Sequence, residues 1–281
     1  MRLAVSNIAW RPTDADACYA ALAERGVHGL EIAPGLLFSA EPDPFRPSDE
    51  ALAAVREKLE GAGLELVSMQ SLLFGVDGAA LFGDLAERQR FAAGMRRAID
   101  LASLVGVSNL VVGSPKNRVI PPGLDSAVAR GWAVDTFRLL GDEAAAQGCK
   151  LAMEPNPAIY GTNFLNTIEE TLEFVAAVEH PAVTINFDVG SLHLNGEYDR
   201  VGPLFALARD YVSHVHVSEP HLAPVPDRED TLERLFAALH AGGWRGWVSI
   251  EMRDTGDGSL ANVSRAVDRC LDAMKATERK P

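Results

Sequence analysis

The chain has 281 residues, 47% of them hydrophobic and 23% charged, a composition that suits a globular protein and excludes a disordered one. Lys and Arg number 26 against 39 Asp and Glu, and the resulting formal charge of −13 argues against nucleic-acid phosphates or an anionic membrane surface as partners. The three cysteines, Cys18, Cys149 and Cys270, are odd in number, far apart and without CxxC spacing, so they predict buried thiols in a reducing compartment, with no disulfide framework and no cysteine zinc site.

The N-terminus carries Arg2 and only Leu3-Ala4-Val5 before polar Ser6-Asn7, too short for a signal-peptide core. No apolar run approaches the roughly 18 residues of a membrane span, and the expectation is a soluble, cytoplasmic protein. Strands are predicted at 2–9, 27–33, 64–70, 109–114, 150–156, 183–189, 212–218 and 247–252. The helical patterns that alternate with them cover 14–25, 48–61, 85–105, 124–147, 167–179, 200–210, 229–241 and 258–276. Gly26, Gly63, Gly106, Gly148 and Gly243 stand just before strands, where a left-handed helix C-cap suits glycine. The helix near Thr167 opens with a predicted capping box, Thr167 and Glu170.

Strict strand–helix alternation implies a parallel sheet, and eight units in under 300 residues point to one closed (β/α)8 barrel, a TIM barrel, over 1–281. A doubly wound open sheet is the alternative. It would carry a Gly-rich turn after the first strand, where Ser6-Asn7-Ile8-Ala9-Trp10 offers none. There is no P-loop and no GxSxG. Pro42–Pro47 and Pro121-Pro122 read as barrel loops rather than linkers.

Alternation within the later strands is the informative step, because successive side chains point to opposite faces. Leu151 and Met153 oppose Ala152, Glu154 and Asn156. Ile185 and Phe187 oppose Thr184, Asn186 and Asp188. Val215 and Val217 oppose His214 and His216, and Val248 and Ile250 oppose Ser249 and Glu251. The apolar sets belong against helices and the polar sets inside the barrel. Four successive strands thus aim Glu154, Asp188, His214/His216 and Glu251 at one volume. Three buried carboxylates need a cation among them, since isolated buried charges cost several kcal/mol each. Few Lys or Arg lie at these strand ends, so one divalent metal ion is the economical answer. Mixed Glu/Asp/His ligation suits Mn, Mg, Co or Zn without choosing among them. The plain alternative is that these residues make loop-capping hydrogen bonds.

The segments Ala152-Met153-Glu154-Pro155-Asn156, Asn186-Phe187-Asp188-Val189-Gly190, His214-Val215-His216-Val217-Ser218-Glu219 and Ser249-Ile250-Glu251 resemble the xylose-isomerase-like family of sugar isomerases and epimerases. That family includes tagatose/psicose 3-epimerases, hydroxypyruvate isomerase, inosose dehydratase and, more distantly, endonuclease IV. The resemblance implies metal ligands at Glu154, Asp188, His216 and Glu251. His216 is preferred to His214 because the family pattern His-x-x-acid is met by His216 and Glu219. It also implies that Glu154 and Glu251 act as the catalytic acid/base pair, moving a proton beside a carbonyl through a metal-stabilised cis-enediolate. The implied partner is a small carbohydrate: a sugar, sugar phosphate or polyol-derived ketone. Homo-oligomerisation is left open.

Substrate-binding candidates follow. His193 lies after the sixth strand, two residues beyond the family's Asp-x-x-His spacing. Lys116 and Arg118, after the fourth strand, suit a substrate phosphate or carboxylate. Glu31, Gln70 and Asn156 are inward polar groups suited to sugar hydroxyls. Tyr160–Phe164 forms a loop suited to closing over substrate, and Trp10 and Phe74 suit apolar walls. Leu222 stands where sugar 3-epimerases carry Arg, which argues against an ordinary free-ketose 3-epimerase; Arg228 is a cation able to fold back there. Competing readings are an inosose-dehydratase-like lyase on the same site, a non-catalytic barrel, and an endonuclease-IV-like phosphodiesterase. The last needs more histidines than the seven present and suits a −13 chain poorly.

Overall fold

The computed structural model describes residues 1–225, 229–256 and 258–278. Among these, eight parallel strands close into a barrel in chain order, β8 returning to β1. They are β1 (Arg2–Ser6), β2 (Gly29–Ile32), β3 (Glu65–Met69), β4 (Asn109–Val112), β5 (Lys150–Met153), β6 (Val183–Asp188), β7 (Val212–Ser218) and β8 (Trp247–Glu251). The helices are α1 (Ala15–Glu24), α2 (Pro34–Leu37), α3 (Asp49–Ala62), α4 (Leu85–Val105), α5 (Ser126–Ala146), α6 (Ile168–Val178), α7 (Val189–Leu194), α8 (Val201–Ala208), α9 (Glu229–Ala241) and α10 (Ser259–Glu278). The predicted (β/α)8 barrel is the observed fold. No described helix is long and apolar enough to cross a membrane.

Local chemistry explains the boundaries. β1 stops at Ser6, earlier than expected, because the Ser6 hydroxyl accepts from the Ile8 amide and turns the chain into a 3-10 turn. α3 opens on Ser48, whose hydroxyl accepts from the Ala51 amide, and closes on Gly63 in the left-handed region. α4 opens on a reciprocal capping box between Asp84 and Glu87. The box expected at Thr167 is only half made. Thr167 accepts from the Glu170 amide, but the Glu170 carboxylate takes the Asn166 amide instead. β6 ends at Asp188, and Val189 already begins a helix.

Contact density divides the chain into two compact units. The first holds residues 1–67, 188–210 and the described residues from 214 on. Within it, Gly29 faces Ala4 and Trp247 so closely that a Cβ would lie 2.6 Å from both, so β2 can take no larger residue there. Helices α8, α9, α10 and α1 pack in sequence around this unit. The second holds 68–187 and 211–213. A chain of edge-to-face rings fills it, from Phe91 to Phe137, Phe174, Phe164 and Phe82, with centroids 4.9 to 6.3 Å apart. Each such pair adds about 0.5–1.5 kcal/mol beyond its burial. Polar groups inside the same unit satisfy one another. Asn109 donates to Ser68 at 3.0 Å and accepts from Ser213 at 2.7 Å, and Ser213 meets Thr184 at 2.7 Å.

Candidate active site

In the first unit, the inward faces of β2, β7 and β8 carry ionisable groups. Glu31 on β2 is fully buried, with Oε2 2.9 Å from His216 Nε2 and 3.2 Å from His214 Nε2. Burial alone would raise its pKa. The two imidazoles, His216 foremost, outweigh that and hold the carboxyl well below the usual carboxylate range. His214 Nε2 also meets Ser249 Oγ at 2.8 Å. Glu31, expected to meet sugar hydroxyls, is instead occupied by two histidines, because the period-two register puts His214 and His216 on one face, both within reach of it. Glu31, His214 and His216 form one compact group of candidate ligands.

His216 has a second face. Its Nδ1 lies 3.3 Å from Glu251 Oε2. With one ring nitrogen held by Glu31, the other ring nitrogen of His216 is directed at the Glu251 carboxylate. An imidazole nitrogen and a carboxylate oxygen are both donors suited to a divalent ion. Two donors each about 2.1 Å from one ion also stand about 3.0–3.4 Å apart. The donor set therefore fits a divalent ion.

Asp188 ends β6 and caps α7. Its Oδ1 accepts from the Gly190 amide at 3.3 Å and from the Ser218 hydroxyl, and its Oδ2 accepts from the Ser191 amide at 2.7 Å. The loop-capping alternative therefore describes Asp188 in part. A Cβ on Gly190 would stand 2.6 Å from Ser218 Oγ, so glycine is required for that contact. His193, on α7, stacks on Tyr198 with centroids 4.1 Å apart, and its Nε2 lies 3.8 Å from Glu219 Oε1.

In the second unit, Glu154 follows β5. Its Oε1 accepts from Asn186 Nδ2 and its Oε2 from Asn156 Nδ2, both at 2.9 Å. Gly113 makes room for it, since a Cβ there would stand 2.7 Å from Glu154 Oε2. Asn156 Oδ1 in turn accepts from Arg118 Nη2 at 2.9 Å. Arg118 is read from the sequence as a contact for a substrate phosphate or carboxylate. It is fully buried, because Thr162 and Asn163 tie their loop onto residues 118–120. Burial pushes its pKa down to about 10, partly opposed by Glu154, so it stays cationic at neutral pH. Lys116 beside it is exposed, and Gln70 is buried just past β3. Trp10 is buried against Tyr19, whereas Phe74 is largely exposed and forms no wall. Arg228 lies outside the described residues. Leu222 accepts the Arg253 amide through its carbonyl at 2.8 Å.

Sequence reasoning gave Asn186 and Ser218 no role; in the structure Asn186 donates to Glu154 and Ser218 donates to Asp188. The ring order sets β5, β6, β7 and β8 as successive neighbours.

Residues 19–276 match the sequence pattern described as the xylose isomerase-like TIM barrel. The chain belongs to that family. Among curated relatives of this TIM-barrel family, a probable ketose 3-epimerase from Synechocystis sp. is 28% identical over 131 residues, 47% of this chain but only 45% of the relative. A 3-dehydro-D-guloside 4-epimerase from Escherichia coli is 25% identical over 263 residues, 90% of this chain and 92% of the relative. The crystal structure of the E. coli 3-keto-D-glucoside 4-epimerase superposes with a TM-score of 0.76 at 20% identity, covering 97% of this chain and 99% of that one. At that identity the superposition speaks for the fold.

Proposed function

We propose that the protein is a divalent-metal-dependent sugar epimerase or isomerase. Glu154, Asp188, His216 and Glu251 are its ion-holding residues, and Glu154 and Glu251 are its acid/base pair. The observation that carries this reading is His216, tied to Glu31 through Nε2 and turned to Glu251 through Nδ1. The relatives named above are epimerases, which favours proton transfer on a sugar.

A bound ion supplies charge to polarise the substrate carbonyl and its neighbouring hydroxyl. The side chains do the rest. One carboxylate takes the proton from the carbon beside the carbonyl, and the other returns a proton to the opposite face or to the neighbouring carbon. A positioned carboxylate of this kind contributes on the order of 10²–10⁴ in rate. Leu222, in place of the 3-epimerase Arg, argues for a substrate other than a free ketose, and the 4-epimerase relatives point to keto-sugars joined to a second group.

The test is solvent deuterium uptake by purified, metal-loaded protein, screened across ketoses, ketose phosphates, inososes and 3-keto-glycosides. We expect label at a carbon next to a carbonyl with mass otherwise conserved, about one divalent ion per chain, and loss of turnover in a folded Glu251→Gln variant. Loss of water from the labelled product assigns a lyase instead, and a protein that retains no divalent ion after reloading overturns the reading.

A further inference from the structure

Arg118 heads the fully buried side chains by size. Its Nη2 donates to the Glu154 carbonyl at 3.0 Å and to Asn156 Oδ1 at 2.9 Å. A guanidinium has donors only, so it dictates which end of the Asn156 amide faces it. The amide oxygen must turn to Arg118, and the NH2 group is left to donate to Glu154 Oε2 at 2.9 Å. An NH2 group also only donates, so Glu154 Oε2 must accept. Asn186 imposes the same on Oε1. The bare Cα of Gly113 closes the remaining side, where any Cβ would meet Oε2. Glu154 is thus fastened at its main chain by Arg118 and at both carboxylate oxygens by side-chain amides, of which that of Asn156 has its polarity set by Arg118. The guanidinium itself has no solvent exposure, which is a poor position from which to meet a substrate.

We propose that Arg118 is a positioning residue for Glu154, acting through Asn156, rather than a contact for a substrate anion. The proposal deepens the functional reading above and rests on its assignment of Glu154. A guanidinium that cannot accept sets the direction of the chain Arg118 to Asn156 to Glu154, and so holds the carboxylate as an acceptor aimed for an ion and for proton transfer.

The experiment uses the full-length 15N-labelled protein and Mn²⁺ as the probe. The Asn156 side-chain amide signal is identified by its loss in Asn156→Ala. In Arg118→Met that signal is expected to shift and to exchange with solvent about 10-fold faster. The Mn²⁺ Kd should weaken by about 10-fold, the usual scale for removing an outer partner of a metal ligand. On a turned-over sugar, kcat should fall with KM little changed. Arg118→Lys, which keeps a donor for Asn156 Oδ1, should recover most of these losses. If Arg118→Met does not fold, Asn156→Ala carries the same expectation for the Mn²⁺ Kd. A variant that loses thermal stability yet keeps the wild-type amide signal and Mn²⁺ affinity overturns the proposal and makes Arg118 a structural cation. A wild-type protein that takes up no Mn²⁺ defeats the functional reading instead, and the amide signal in Arg118→Met then decides the positioning claim alone.

Discussion

Glu31 Oε2 and His216 Nε2 stand 2.9 Å apart, on β2 and β7, with both side chains fully buried. A carboxylate behind an imidazole fixes both its tautomer and its ring angle, and such partners of metal-binding histidines are typically worth 10–100-fold in metal affinity. Glu31→Gln should therefore weaken divalent-ion binding by about that factor, measured by competition with a chromophoric chelator. Unchanged affinity would show that Glu31 serves the fold alone.

The same carboxyl makes stability depend on pH. Its folded pKa is depressed, so its contribution is fully present above the unfolded value of about 4.3 and is lost as pH falls below it. The stability gap between wild type and Glu31→Gln, read from denaturant midpoints, should be widest near neutral pH and shrink as pH drops through the carboxylate range. A gap that grows on acidification contradicts this sign.

Gly113→Ala tests the space around Glu154. Its Cβ would stand 2.7 Å from Oε2, shorter than any relaxed contact, so the carboxylate must move. We expect a folded protein, since Gly113 has no left-handed backbone to lose, with turnover reduced at least about 10-fold by the misplaced base. Wild-type turnover in this variant removes Gly113 from the site.

All three cysteines are free and buried. Burial pushes Cys18 and Cys270 up to about 12 and Cys149 up to about 11. Little thiolate exists at pH 8, and a disulfide reagent should label no cysteine in the native protein and all three after unfolding. Rapid labelling of the native protein places at least one thiol at the surface.

The fold was legible because its cues are local. Every strand predicted from apolar runs appears, and period-two alternation by itself assigns Glu154, Asp188, His216 and Glu251 to inward faces. The two short helices after β2 and β6 leave no mark in the sequence pattern, since four to six residues carry too little periodicity to read. What neighbours do to a side chain was not legible. Glu31 and His216 are 185 residues apart, and only barrel closure brings them together. Arg118 reads as a loop cation until the 162–163 segment folds over it. Asp188 reads as a bare carboxylate until α7 begins on it. Strand direction and facing follow from backbone geometry that each segment carries by itself. Partner, burial and protonation depend on groups far away in the chain, and those meet only when the tertiary structure forms.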